Sequence, residues 1–402
     1  MTPPFQRPAL ELAEVVRRHG PGLGEGLSGE QQRILRAIAS CRTAALGGHV
    51  QTCDQCQFQR IAYNSCRNRH CPKCQASACA QWMEERAGEL LPVEYFHVVF
   101  TLPDTFNPLA LGNKRTVYGV LFEAVAQTLG EVAANPRHLG ARIGFIGILH
   151  TWGQNLCLHP HIHCVVPGGG LSPDGSATGG SRWVGCKPGF FLPVRVLSRV
   201  FRGKFIDLLK RARAAGKLVG MPDDGDFTRL LNASVKHDWV VYAKPPFGGP
   251  EQVLKYLSRY THRIAISNRR LVSVDDQSVT FNWKDYAHGN RTRNLTLEGG
   301  EFLRRFLLHA VPSGFMRIRH FGLLANRRRS EDLATCRRLL SVAPATPADT
   351  SPDTRPASLP SPARTGVTGQ ACCPACSRGR LIPGMYLSPL QLGRLTLRLD
   401  TS

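Results

Sequence analysis

Leu158-His159-Pro160-His161-Ile162-His163-Cys164-Val165-Val166-Pro167-Gly168-Gly169-Gly170 sets a histidine at every second position ahead of an apolar run and a glycine turn. Successive side chains of an extended strand point to opposite faces. His159, His161 and His163 therefore form one row, while Ile162 and Cys164 turn toward an opposite, packed layer. A row of imidazoles on a sheet can hold a divalent metal and still leave coordination positions for water or a phosphate oxygen. The plainer reading, solvated histidines on a surface strand, suits a lone His better than three in register before a Gly-rich turn.

Working outward, residues 141–150 are β-rich and lead through Thr151-Trp152-Gly153-Gln154-Asn155 into the histidine strand. The two runs predict an antiparallel pair whose turn contains Gln154 and Asn155, with Gln154 or His159 completing the set around His161 and His163. Residues 93–102, closed by Pro103, predict a central strand, and 183–194 and 240–243 two further strands. Helices are expected at 78–91, at 117–134 from apolar residues three and four apart, at 195–215, which is basic, and at 300–310; 273–280 holds an Asp275-Asp276 turn, and 279–283 and 291–297 alternate.

A second chemical element is Glu251-Gln252-Val253-Leu254-Lys255-Tyr256-Leu257-Ser258-Arg259-Tyr260-Thr261-His262-Arg263. Pro250 suits a helix start, and Val253, Leu254 and Leu257 supply an apolar stripe. Tyr256 and Tyr260, four apart, share one helical face among Lys255, Arg259, His262 and Arg263. Two tyrosines edging a core would be the ordinary explanation. Beside a metal-competent histidine row in a basic protein, they make a coherent chemical set.

Lys and Arg number 51 against 29 Asp and Glu, a net charge of +22 over 402 residues. Such a surplus predicts a polyanionic partner, because basic surfaces release counterions on neutralising phosphates. No basic amphipathic helix with a bulky apolar face stands out, so nucleic acid is favoured over a membrane. The N-terminus lacks an apolar signal region and no run of about 18 apolar residues occurs, which predicts a cytoplasmic protein.

Fourteen cysteines in such a chain read as metal ligands and buried thiols. Cys53-Asp54-Gln55-Cys56 and Cys71-Pro72-Lys73-Cys74 approach a zinc-ribbon pattern, which predicts Cys53, Cys56, Cys71 and Cys74 as ligands of a structural Zn²⁺. His49, Cys66, His70 and Cys79 are surplus candidates. Arg60, Arg67, Arg69 and Lys73 interleave with Phe58 and Tyr63, a pattern suited to DNA contact. Residues 341–370 are dominated by Pro, Ala, Ser and Thr and predict a disordered linker. Beyond them Cys372-Cys373-Pro374-Ala375-Cys376 is half a knuckle without an evident second half, open to Cys336 or a partner chain.

These motifs resemble the rolling-circle transposases of the insertion sequence ninety-one family, in the HUH (His-hydrophobic-His) single-strand endonuclease superfamily. The resemblance rests on His161-Ile162-His163, on Tyr256 to Arg263, and on the thiolate segment 63–74, and runs from about residue 40 to 330. It implies an α+β fold: a palm-like antiparallel sheet bearing the histidines, preceded by a small helical and zinc-ribbon domain and followed by a disordered C-terminal tail. The expected divisions are 1–46 helical lead-in, 47–91 zinc-binding, 92–330 catalytic, 331–340 helix end and 341–402 linker and tail.

The resemblance further implies nicking and rejoining of single-stranded DNA at element ends and target DNA, with Mg²⁺ or Mn²⁺ on His161, His163 and His159. Tyr260 is the 5′-phosphotyrosine nucleophile by position, with Tyr256 as its partner, and Lys255, Arg259, Arg263, Arg67 and Arg69 are DNA contacts. It places the protein at the bacterial nucleoid and is compatible with a homo-oligomer. A plasmid replication initiator or relaxase shares the chemistry but lacks the thiolate module. A zinc-dependent DNA-binding regulator without catalysis leaves the histidines and tyrosines unexplained, and a small-molecule hydrolase ignores the charge.

Overall fold

Side chains alternate across the strands of the central sheet, so each of its two faces packs on a core of its own. Tyr95–Thr101 (β3), Gly144–Trp152 (β4), Leu158–Pro167 (β5), Val241–Phe247 (β8) and Ile318–Gly322 (β12) join in the order β12-β4-β5-β3-β8, every neighbouring pair antiparallel. Phe96, Val98, Phe100, Leu149, Ile162, Cys164 and Val241 point one way into the main core. There they meet the helices Lys114–Ala134 (α5) and Val194–Ala214 (α6) and an aromatic cluster of Phe106, Phe201, Phe205 and Trp239. α5 is apolar on most of its surface and is buried accordingly. The opposite face carries Tyr95, Ile146, Ile148 and Val165 in a second core.

The computed structural model describes residues 10–23, 26–173, 181–220, 223–247, 252–253, 264–285, 288–341 and 372–399. They fall into two units, Met1–Leu35 with Asn68–Val342, and Arg36–Arg67 with Ala343–Ser402. Besides the five-stranded sheet, the first unit holds the short pair Gly169–Leu171 (β6) and Trp183–Gly185 (β7). It also holds a three-stranded sheet of Leu271–Val274 (β9), Ser278–Asp285 (β10) and Arg291–Glu298 (β11), against which Leu12–His19 (α1) and Gly299–Leu308 pack. The second unit is a three-stranded antiparallel sheet, Leu381–Leu387 (β13), Gly48–Cys53 (β1) and Gln59–Tyr63 (β2), with the helix Pro389–Leu399.

This is the expected mixture of helices and antiparallel sheet, with local differences. The strand expected at 183–194 stops at Gly185, because Pro188, Gly189 at φ 70° and Pro193 break the extended ladder before α6. The helix expected at 78–91 begins earlier, at Pro72, since a proline costs nothing at the first helical position. The basic residues Arg319 and His320 lie on an edge strand, β12. Of the expected linker and tail, 342–371 lie outside the described residues, but 372–399 are built into the second unit. β13 pairs with β1 from Gly48↔Leu387 to Cys53↔Leu381, so the tail is held by a strand ladder that its sequence alone does not announce. Among the described residues no helix is long and apolar enough to cross a membrane.

Candidate active site

β4 and β5 form a hairpin in which His150 lies opposite His161 and Ile148 opposite His163. Paired residues of an antiparallel ladder share a face, so His150, His161 and His163 gather on the side away from the main core. Their ligand-capable nitrogens all lie within 4.8 Å of one another. The His161 and His163 Nε2 atoms are 3.0 Å apart. The buried His150 ring stands edge-on to His163 at 4.5 Å and is stacked on Trp152. His159, expected in this cluster, is exposed and outside it. The register shifts between His150 and Trp152 near the hairpin end, which breaks the row before it reaches His159. What His159 supplies is its carbonyl, which accepts a hydrogen bond from His161 Nδ1 at 2.6 Å.

That bond decides a tautomer. A carbonyl only accepts, so His161 carries its proton on Nδ1 and presents a lone pair at Nε2. His163 Nδ1 lies 2.8 Å from Nε2 of His97, a buried histidine of β3 stacked on it at 5.0 Å. With the shared proton on His163 Nδ1, the His163 Nε2 likewise presents a lone pair. Burial pushes His97 and His161 down to about 3. These imidazoles are therefore neutral at physiological pH, the form that binds metal.

Burial likewise pushes His309 down to about 4; its ring reaches the Thr151 hydroxyl and the Leu156 carbonyl behind the hairpin turn. Because folded His97 and His309 titrate below their unfolded value near 6.5, the unfolded chain binds more protons as the pH falls. Each steepens the loss of stability by up to about 1.4 kcal/mol per pH unit below 6.5. The expected result, with chelator present, is a Tm that drops from pH 7 to pH 5 and drops less in His309→Gln. A Tm that is level or rises over that interval would contradict the assignment.

The hairpin turn is held from outside. Arg270 donates through Nη2 to the Gln154 carbonyl, through Nη1 to the Ala265 carbonyl at 3.1 Å, and through Nε to the Asn282 carbonyl at 2.7 Å. Asn107 Nδ2 donates to the Leu158 carbonyl at 3.1 Å. Val253 is fully buried in the second core with Tyr95, Ile146, Ile148 and Val165, on the histidine side of the sheet. Tyr256 and Tyr260, with Lys255, Arg259 and Arg263, lie between Val253 and Ala265 and outside the described residues.

The four thiols expected to share one zinc are divided. Cys53 and Cys56 belong to the second unit, where Cys373 and Cys376 stand beside them, all four sulfurs within 4.8 Å of one another. Cys71 and Cys74 belong to the first unit and are buried at the start of the helix Pro72–Ala87, with their own sulfurs within the same distance. Sequence spacing could not separate these cases, because each C-x-x-C supplies two ligands whichever partner it meets. Arg69, expected at DNA, donates to the carbonyls of Phe315 and Pro312. Arg67 takes a positive φ of 51°.

His150 and His97 were missed by sequence reading, although both carry a signal. His97 stands on the odd-numbered face of the expected strand 93–102. His150 ends the β-rich run 141–150, and placing the turn one residue later brings it opposite His161.

The model of a family described as "Putative transposase" matches residues 144–331, the span of the histidine hairpin and the tyrosine segment. A second, described as "Transposase zinc-binding domain", matches residues 13–102. The protein described as "Putative transposase y4qJ" from Sinorhizobium fredii (strain NBRC 101917 / NGR234) is 53% identical over 390 residues, covering 94% of this chain and 95% of the relative. The chain belongs to the IS91 family of transposases. The transposase is also 28% identical over 313 residues to the "Transposase for insertion sequence element IS801" of Pseudomonas savastanoi pv. phaseolicola, covering 75% and 72% of the two chains. No solved structure matches it. The transposase is thus a DNA-processing enzyme with a zinc-binding domain.

Proposed function

We propose that the transposase nicks and rejoins single-stranded DNA at the ends of its insertion element by rolling-circle transposition, Tyr260 attacking a phosphodiester beside a Mg²⁺ or Mn²⁺ held by His150, His161 and His163. One observation carries this reading: the chain is anchored against the histidine hairpin on both sides of the tyrosine segment. Val253 is buried with Ile148 and Val165, and the Ala265 carbonyl shares Arg270 with the Gln154 carbonyl of the hairpin turn.

The donor set fits such an ion. Ligand atoms about 2.1 Å from a metal and at right angles to one another are about 3.0 Å apart. That is the separation of the His161 and His163 Nε2 atoms. An all-imidazole set suits Mn²⁺ at least as well as Mg²⁺. When bound, the ion supplies positive charge beside the scissile phosphate.

The remaining chemistry belongs to the chain. An ordinary tyrosine titrates near 10, and Lys255, Arg259 and Arg263 favour its phenolate. The phenolate oxygen of Tyr260 bonds to phosphorus, and the bond from phosphorus to the 3′-oxygen breaks. The leaving oxygen takes a proton from solvent and becomes a free 3′-hydroxyl. The phosphotyrosine ester retains the energy of the diester, so attack by an incoming 3′-hydroxyl reseals the strand and frees the phenol without ATP. Tyr256 offers a second phenol, so that one end is held while the other is cut. Arg67 joins the segment's cations in contacting phosphates.

Labelled single strands carrying the element end, incubated with the full chain and Mn²⁺, are expected to give an SDS-resistant protein–DNA adduct. Chelation of the metal is expected to remove the adduct, and the same sequence as a duplex to give little. Adduct formation at full yield in excess chelator would defeat the metal assignment, and cleavage without any covalent adduct would defeat the tyrosine.

A further inference from the structure

We propose that Cys53, Cys56, Cys373 and Cys376 form one tetrahedral zinc site, so that the last segment of the chain completes the zinc-binding unit. The two pairs are far apart in sequence, Cys376 lying 323 positions after Cys53 and Cys373 317 positions after Cys56, yet their sulfurs face each other at 3.7 and 3.6 Å. Zn–S bonds of about 2.3 Å at tetrahedral angles put sulfurs about 3.8 Å apart. A disulfide needs about 2.05 Å, so this is the spacing of ligands around an ion.

The backbones of the two pairs are built alike. Cys53 accepts from the N–H groups of Gln55 and Cys56 at 3.4 and 3.5 Å, and Cys376 accepts from the N–H of Gly379 at 3.3 Å. Such N–H···S bonds stabilise thiolate over thiol. Each pair closes the same turn: Gln57 N–H donates to the Cys53 carbonyl and Ser377 N–H to the Cys373 carbonyl. The residue after the second cysteine is left-handed in both, Gln57 at φ 58° and Ser377 at φ 55°. Non-glycine residues rarely take this conformation, and here two do so at equivalent places.

The surroundings are fitted to the same purpose. Asp54 bridges the pairs, its N–H donating to the Arg380 carbonyl at 3.1 Å and its carboxylate accepting from the Arg380 N–H at 2.8 Å. A Cβ on Gly379 would stand 2.3 Å from the Cys53 sulfur and 2.7 Å from the Asp54 carboxylate, so only glycine leaves room. Cys53, Cys373 and Leu381 are buried together, with Cys376 packed against them. In a unit this small, ligation energy is folding energy. The ion and the β1–β13 ladder therefore hold residues 372–387 against the hairpin of β1 and β2.

The experiment uses the full-length protein, with zinc measured per chain and each cysteine's alkylation followed by peptide mass spectrometry. Cys373→Ser with Cys376→Ser is expected to lose about one zinc per chain and to raise the alkylation rate of Cys53 and Cys56 at least about tenfold. Cys71→Ser with Cys74→Ser is expected to leave Cys53 and Cys56 protected. Cys376→His, which keeps a competent three-thiolate, one-imidazole set, is expected to retain the ion, with the cobalt-substituted protein losing sulfur charge-transfer intensity. Full zinc content with protected Cys53 and Cys56 in the Cys373/Cys376 variant would overturn the site. So would exposure of Cys53 and Cys56 on removing Cys71 and Cys74, and so would a cobalt spectrum unmoved by Cys376→His.

Discussion

Tyr260→Phe is expected to abolish the covalent protein–DNA adduct on single-stranded element ends, a loss on the order of 10³-fold or more in the rate of adduct formation. The substitution removes one oxygen and keeps the ring, so packing and charge around it are unchanged. Retention of the DNA, which depends on cations and phosphates, is expected to stay within about twofold. The adduct is read on a denaturing gel with end-labelled substrate. Tyr256→Phe is the informative companion: it should still form the first adduct and should lose joining of the second end. An undiminished adduct in Tyr260→Phe would remove the proposed nucleophile.

The second large effect belongs to the imidazoles. His161→Ala with His163→Ala is expected to eliminate cleavage, again by about 10³-fold or more, while leaving DNA retention near that of the parent. His150→Ala is expected to lower activity strongly as well, whereas His159→Ala is expected to have a small effect, because His159 acts on His161 through its carbonyl. His97→Ala, which removes the partner of His163 Nδ1, is expected to weaken metal use by about 10- to 100-fold without eliminating it, so that added Mn²⁺ restores much of the rate. Cleavage rates measured across a Mn²⁺ titration separate these cases. Normal nicking by the His161/His163 variant, or a His159→Ala loss larger than that of His150→Ala, would end this ligand assignment.

Much of the fold was legible because its signals are local. The β-rich runs at Tyr95–Thr101 and Gly144–Trp152 and the every-second-position histidines of Leu158–Pro167 report strands directly, and the helix α5 follows from its apolar spacing. The pairing of the histidine strand with the run before it followed from their closeness in sequence and the Gly-containing turn between them. The third imidazole was less legible. His159 shares the period of His161 and His163 but is exposed beyond the point where the register shifts, while the regular part of the ladder sets His150 of the neighbouring strand opposite His161. A shift of that kind is decided by cross-strand packing at the hairpin end, which no single strand records.

By itself the sequence determined the knuckles, the alternation and the charge, since each depends on residues only a few positions apart. Only the tertiary structure decided how the knuckles are matched. A C-x-x-C pair is a finished two-ligand unit, and the chain between two such units can be short or several hundred residues long at a closure cost that grows only logarithmically. Nothing in the spacing therefore favours Cys71 and Cys74 over Cys373 and Cys376 strongly enough to settle the matter. The choice is made by the ladder of β13 on β1 and the room left at Gly379, which bring the far end of the chain to the thiols of Cys53 and Cys56.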